Sequence, residues 1–361
     1  MALCTVNKWA QYHYADTSTI MGKSTTRRPT LADVARLAGV SLGSASHALS
    51  APQHVKPSTL EKVEQAVLAL GYIRDGAARA LASRRTQTIA AIYPTLNNPI
   101  FAHSTEAMQR TLWELGYHLL ILSHEYHADD APAIIRSAVE RGVDGLILVG
   151  SDYCESVFDV LQARRLPYVL TWATDETTYP HCVGISNFQA MYDLARIVLE
   201  YGHTAIAVCG GDTTHNERAR ARRQGVMSAL SERGLAIRPE WMVEAPFSYQ
   251  GGRDAFRSLW HQDQKPTAIL FGNDLQAIGA LHEARRLGVN VPHDVSILGF
   301  DNVEEGAFIQ PALSTVNVPA REIGRLAAQR LVALIDEQSD GVAIQLNHEA
   351  VLRESLGPPP A

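Results

Sequence analysis

"LADVARLAGVSLGSASHALS", residues 31–50, decides how this chain begins to fold. Its first half is amphipathic at helical spacing. Leu31, Val34, Ala35, Leu37 and Ala38 share one face, and Thr30 with Asp33 makes a capping-box pattern. Gly39 breaks the helix, since glycine accepts the positive φ of a C-cap, and Ser41 is placed to cap a second helix. That second helix is stripped of bulk. Ser41, Gly43, Ser44, Ala45, Ser46 and Ala48 surround Leu42, His47 and Leu49, too small for an ordinary core and too uncharged for a solvated face. After the turn-rich "SAPQHVKP" at 50–57, Ser58 with Glu61 predicts another capping box, opening a third helix through Leu60, Val63, Val67, Leu68 and Leu70 to Gly71. Helix, tight turn, helix, loop, helix within about forty residues is the helix-turn-helix arrangement.

The charge distribution agrees with that reading. The chain of 361 residues has a net charge of −6, which by itself argues against a polyanionic partner. Residues 23–85, however, carry ten Lys and Arg against four Asp and Glu, so the acidity lies entirely in residues 86–361. A small basic module joined to a large acidic one is the asymmetry expected when only one end meets nucleic acid.

From Thr88 onward, apolar runs alternate with helix-length amphipathic stretches: "TIAAIYP", "YHLLILS", "GLILVG", "PYVLTW", "CVGIS", "TAIAVCGG", "TAILFGND" and "VSILGFD". Strands separated by helices specify a parallel sheet with crossover connections, and these are too many for one small sheet. The expected fold class is therefore α/β: an N-terminal all-α helix-turn-helix domain followed by two α/β subdomains. Polar residues stand directly after the apolar runs in "YPTLNNPIF", "VGSD", "GGDTTHNER", "GND" and "GFDN". Open α/β sheets bind ligands at such strand ends, and a cleft between two subdomains is the natural small-molecule site.

The order and spacing of "TLADVARLAGVSLGSASHALS", "TLEKVEQAVLALGY", "ARAL", "NNPIFA", "RGVDGLIL", "YGHTAIAVCGG", "FGNDLQAIGAL", "GVNVPHDVSILGFDN" and "PALSTVNVP" resemble the lactose-repressor (LacI/GalR) family of bacterial transcription regulators, over essentially residues 28–355. Residues 1–26 mix isolated aromatics with Ser and Thr without a period and read as a disordered extension, and the resemblance implies a DNA-binding domain at 27–73, a hinge helix or linker at 74–86 and a periplasmic-binding-protein-like effector and dimerisation domain at 87–357. It further implies a homodimer on a pseudo-palindromic operator, with a small metabolite shifting the affinity. Both Met1 and Met21 stand open as the start of translation, and the C-terminal "GPPPA" reads as a frayed end.

In that frame the DNA contacts are Thr30, Ser41, Leu42, Gly43, Ser44, Ser46 and His47 in the first module, with Arg79 and Leu81 in the hinge. The base-reading positions match Leu42, Gly43 and His47. An imidazole donates to guanine N7 or O6, Gly43 has no side chain with which to read, and Leu42 either packs on a thymine methyl or faces the core. Leu81 matches the residue wedged into the minor groove, its alternative being a contact with its dimer mate. At Arg74–Gly76 the sequence has "RDG" where the family commonly has Pro-Asn, leaving Asp75 to cap the hinge helix.

For the effector, the resemblance implies Asn98, Phe101, Ser151 and Trp172 on one side of the cleft and Arg222, Phe247, Asn273 and Asp301 on the other, with a helix cap as the alternative role of Asp301. A carboxylate, amides, a guanidinium and aromatic faces suit a sugar or a sugar acid. Trp172 and Ser186 stand where several sugar-binding relatives have Asp. The neighbouring Arg218, Arg220 and Arg223 read as the solvated face of a helix.

Other chemistries find less support. "SHEYHADD" at 123–130 gathers His124, Glu125, His127, Asp129 and Asp130 without a metal-ligand spacing. No nucleotide loop, Ser-His-Asp set or paired-carboxylate pattern emerges, so neither an enzyme nor a cofactor is expected. Cys4, Cys154, Cys182 and Cys209 are far apart and read as buried thiols. Without a membrane-length apolar run or an apolar secretory segment, the expectation is a cytoplasmic protein. A transport receptor with the same effector fold is the alternative, although it calls for a signal peptide and no basic module.

Overall fold

The computed structural model describes residues 27–74, 76, 80, 85–174, 181–338 and 342–360. The chain divides into two compact units, Met1–Arg79 and Ala80–Ala361.

In the first unit, α1 (Leu31–Ala38), α2 (Leu42–Ser50) and α3 (Pro57–Leu70) pack on a core of Val34, Ala35, Ala38, Ala45, Ala48, Val63 and Ala66. The small core residues let the three helices approach closely. The Asp33 carboxylate accepts from both the amide and the hydroxyl of Thr30 at 2.9 and 2.7 Å, fixing the start of α1. Gly39 ends it in the left-handed region at φ 65°, and the Ser41 hydroxyl caps α2 by accepting from the Ser44 amide at 3.0 Å. The expected Ser58 cap does not form. Pro57 is the first residue of α3, where its fixed φ pre-organises the turn, so the helix begins before Ser58 reaches a capping position.

The second unit contains two parallel sheets. The first has the order β11-β5-β4-β3-β1-β2, formed by β1 (Thr88–Tyr93), β2 (His118–Ser123), β3 (Gly145–Val149), β4 (Tyr168–Thr171), β5 (Cys182–Gly184) and β11 (Ile344–Gln345). The second, of order β7-β6-β8-β9, comprises β6 (Ile206–Gly210), β7 (Met242–Glu244), β8 (Ala268–Phe271) and β9 (Ser296–Leu298). All eight apolar runs picked out in the sequence are strands. Most are buried on both faces, which is why they read as continuous rather than alternating apolar segments. Sequence reasoning missed β7, β11 and the antiparallel pair β10 (Thr315–Asn317) with β12 (Glu349–Val351), each of two or three residues.

Helices cover the sheets in pairs: α4 (Pro99–Glu114) with α12 (Ala320–Ile335), α7 (Asn187–Glu200) with α8 (Glu217–Ser231), and α9 (Tyr249–Trp260) with α10 (Asp274–Arg286). Further helices among the described residues are α5 (Ala131–Glu140), α6 (Glu155–Arg164) and α11 (Glu305–Phe308). Glycines set the closest approaches. A Cβ on Gly225 of α8 would lie 2.2 Å from the Phe188 carbonyl of α7, and one on Gly324 of α12 would lie 2.1 Å from the Ser104 carbonyl of α4.

Two further contacts organise the ends of this unit. Where the chain enters β1, the Asp144 carboxylate accepts from the amides of Thr86 and Gln87 at 2.9 and 2.7 Å, and Arg85 pairs with Asp336 at 2.7 Å. At the other end the expected fraying is corrected. The Gly357 carbonyl is 2.8 Å from Nε2 of the buried His203, and the Gly357 amide donates to the Ser296 hydroxyl at 3.1 Å. A second correction concerns the cysteines: Cys182 and Cys209 are buried, but Cys154 is exposed.

Candidate functional site

Two surfaces carry the predicted functional residues. On α2, Ala45 and Ala48 turn inward to meet α1 and α3, while Leu42, Gly43, Ser44, Ser46 and His47 are exposed. Leu42 keeps 54% of its surface open, so it does not face the core. Ser41 and Ser44 share a hydroxyl hydrogen bond at 2.8 Å, and Arg74 reaches back to the Ser46 carbonyl at 3.4 Å, tying the segment after α3 to the middle of α2. The stripped helix thus spends its small residues twice, for close helix packing inside and for an unobstructed outer face. Cys4, Asp75, Arg79 and Leu81 lie outside the described residues.

The second surface lies between the C-terminal ends of the two sheets. Asn98 follows β1, Trp172 follows β4, Phe247 follows β7, Asn273 follows β8, Asp301 follows β9, and Arg222 stands on the helix after β6. Together with Phe101 they line a small inner chamber of about 40 Å3. Asn98 caps α4 through its side-chain oxygen while its Nδ2 donates to Asp301 Oδ2 at 2.9 Å. Asn273 caps α10 by accepting from the Gln276 amide at 3.0 Å. Arg222 Nη1 donates to Asn187 Oδ1 at 2.6 Å, and its guanidinium lies over the rings of Phe300 and Phe247, 4.8 and 5.7 Å from their centroids. Its Nε is buried with no partner among the described residues. Phe101 meets Trp172 edge-on at 5.0 Å, in the favoured aromatic geometry.

Burial governs the electrostatics. It pushes the Asp301 carboxyl up to about 6, against the Asn98 hydrogen bond and the Arg222 charge, which favour the ionised form. It also lowers Arg222 to about 10, leaving the guanidinium charged at neutral pH. Asp274, fully buried at the start of α10 and held by the Thr315 hydroxyl at 2.6 Å, is raised well above the usual carboxylate range by burial and by Asp301.

Other residues of this chamber were not read from the sequence, among them Tyr126, Asn187, Arg218 and Phe300. Arg218 corrects the expectation of a solvated arginine face. It keeps only 11% of its side chain exposed and pairs with Glu217 at 3.1 Å. The available signal was its spacing, since residues four apart share a helix face. Ser151 does not line the chamber. Its amide donates to Glu217 Oε1 at 2.9 Å, and the adjacent Asp152 pairs with Arg220 at 2.9 Å, so both hold the ends of the two sheets together. Ser186 caps α7.

A second, larger cavity of about 670 Å3 adjoins the first. Tyr126 and Phe247, with ring centroids 5.6 Å apart, line both. Tyr126 is held in the left-handed region at φ 62°.

Residues 30–75 match the bacterial regulatory proteins, lacI family, and residues 195–356 match the periplasmic binding protein-like domain. Catabolite control protein A of Priestia megaterium is 31% identical over 327 residues, covering 90% of this chain and 98% of that protein. The chain belongs to the LacI family of bacterial regulatory proteins. The HTH-type transcriptional repressor PurR of Photorhabdus laumondii subsp. laumondii is 30% identical over 330 residues, covering 91% of this chain and 96% of the repressor. Among solved structures, a transcriptional regulator CelR-cellobiose complex superposes with a TM-score of 0.68 at 27% identity, covering 91% of this chain and 100% of that one. This LacI-family chain is thus a DNA-binding transcription regulator built from a helix-turn-helix module and a periplasmic-binding-protein-like α/β module. Among its described residues no helix is long and apolar enough to cross a membrane.

Proposed function

We propose that this LacI-family regulator is a cytoplasmic homodimeric repressor whose affinity for a pseudo-palindromic operator is set by a sugar or sugar acid bound in the cleft between the two α/β subdomains. Residues 27–73 bind DNA, 74–86 form the hinge, and 87–357 bind effector and dimerise, with no cofactor required. Thr30, Ser41, Leu42, Gly43, Ser44, Ser46 and His47 meet the operator through the open face of α2 and the start of α1, with Arg79 and Leu81 adding the hinge contacts. Asn98, Phe101, Ser151, Trp172, Arg222, Phe247, Asn273 and Asp301 form or support the effector site.

The observation that carries the reading is the Asn98–Asp301 hydrogen bond between the ends of two different sheets. A ligand whose hydroxyls replace that bond has a different affinity for the closed and open arrangements, and such a difference is what effector control requires. Selection of binding sites from random duplex DNA, followed by titration at several salt concentrations with and without sugars, tests it. A palindromic preference with a steep salt dependence is expected. Binding no tighter to the selected site than to random duplex would sink the proposal.

A further inference from the structure

The outer face of the proposed DNA-reading helix brings no Lys or Arg of its own. Leu42, Gly43, Ser44, Ser46, His47 and Ser50 are the exposed residues of α2. Duplex DNA is bound in large part by neutralising its phosphates, so the cations must come from beside the helix. Arg27 and Arg36 are engaged with Asp33 at the start of α1. Arg74 is placed differently. It stands just after α3, and its Nη2 donates to the Ser46 carbonyl at 3.4 Å, which makes it the cation that reaches α2 by a hydrogen bond among the described residues.

That bond is long, and the same carbonyl already accepts from the Ser50 hydroxyl at 2.8 Å. A guanidinium carries five N–H donors in a fixed fork that matches phosphate. In Arg74 this single bond engages them among the described residues, so the contact orients the group without satisfying it.

Two dimensions say what the remaining donors meet. A helix with its side chains is about 10–12 Å across, and the major groove is about 12 Å wide. A helix seated there fills the groove, so a group held at its flank meets the groove wall, which is phosphate. Base edges are read by the N-terminal residues of a recognition helix, whereas Ser46 and Ser50 lie in the C-terminal half of α2. The LacI family commonly has Pro-Asn where this chain has Arg74 and Asp75, and a proline side chain has no donor for carbonyl or phosphate.

We infer that Arg74 is a DNA phosphate contact that the family's usual proline cannot make, held against the C-terminal half of α2 and adding charge, not base preference, to operator binding. The assignment deepens the repressor reading and rests on it.

The test compares the full-length protein with its Arg74→Gln and Arg74→Lys variants on a random duplex and on the site that the wild type selects, between about 50 and 200 mM KCl. Gln keeps a donor for the Ser46 carbonyl and removes the charge, while Lys keeps the charge. In Arg74→Gln the plot of log affinity against log salt should be shallower by about 0.9 for each Arg74, hence about 1.8 for the proposed dimer, so that the wild-type advantage shrinks about twelvefold over that range. Arg74→Lys should keep the wild-type slope. Both DNAs should weaken alike, leaving the selected-to-random ratio within threefold and thermal melting unchanged. An unchanged slope in Arg74→Gln, a slope in Arg74→Lys as shallow as in Arg74→Gln, or a ratio altered beyond threefold overturns the inference. An unchanged slope together with a lowered Tm also overturns it, assigning Arg74 to holding α2 alone. The slope on random duplex is read whether or not a preferred site exists. A wild type without sequence preference therefore refutes the repressor reading, whereas an unchanged slope in a sequence-specific protein refutes only the role of Arg74.

Discussion

Asn98 donates to Asp301 at 2.9 Å while its own side-chain oxygen caps α4, so one amide joins the start of a helix on the first sheet to the strand end of the second. Asp301 is the costly member of the pair. Its folded pKa, about 6, lies above the ordinary 3.8, so the folded state prefers the protonated form. The resulting stability is complete below about pH 4 and is lost as pH rises to about 6, amounting to roughly 3 kcal/mol. Asp301→Asn keeps an acceptor for Asn98 and removes the charge. Thermal melts should show a higher Tm at pH 7.5 and a flatter profile between pH 4 and 6, the remaining slope coming from buried Asp274, alongside weaker effector binding. A Tm unchanged or lowered at pH 7.5 would count against the buried-charge account.

The C-terminal anchor predicts an opposite pH dependence. Burial lowers the pKa of His203, against the Gly357 hydrogen bond. Its contribution is therefore present above the unfolded value near 6.5 and is lost as pH falls through the lower folded value. His203→Ala leaves Gly357 and Thr267 without a ring partner and should cost about 1–3 kcal/mol at pH 7.5, with a smaller loss at pH 5. Denaturant melts of both proteins at the two pH values provide the check.

Gly225→Ala tests the close approach of α7 and α8. Its added methyl would sit 2.2 Å from the Phe188 carbonyl, which is backbone and cannot swing aside. Overpacking of this kind costs about 1–3 kcal/mol. Urea unfolding should register that loss, and wild-type stability would show that the helices part without penalty.

On α2 the inner and outer faces separate by substitution. Ala48→Leu overfills a core made chiefly of alanine and valine and should destabilise the DNA-binding module. His47→Ala touches no core residue and should leave melting unchanged, while relaxing base preference at one position per half-site by about 1–3 kcal/mol. Leu81→Ala should instead weaken operator binding whatever the bases. Binding-site selection with each variant distinguishes the two effects.

The long strands and the helix-turn-helix were legible because each depends on local pattern, buried parallel strands reading as apolar runs; of the eight residues to which the family resemblance pointed, seven line the inner chamber. Most of what escaped depends on chain segments distant in sequence. The strands β10 and β12 are too short to show a period and exist through pairing with one another. Ser58 lost its capping role to the proline before it, a competition between two helix-start signals. Ser151 was expected beside the ligand but engages Glu217 instead. Arg218 shares a helix face with Arg222, but the sequence alone does not show that Tyr126, distant along the chain, lines the same two cavities with it.

The Asp144 clasp fixes where the chain enters the α/β module. Two backbone amides held by one carboxylate give residues 86 and 87 no slack against the first sheet, and the Arg85–Asp336 pair ties the preceding residue to the end of α12. Through these contacts the entry segment, residues 85–87, is fastened to the first sheet and to the helix that covers it, rather than hanging free of them.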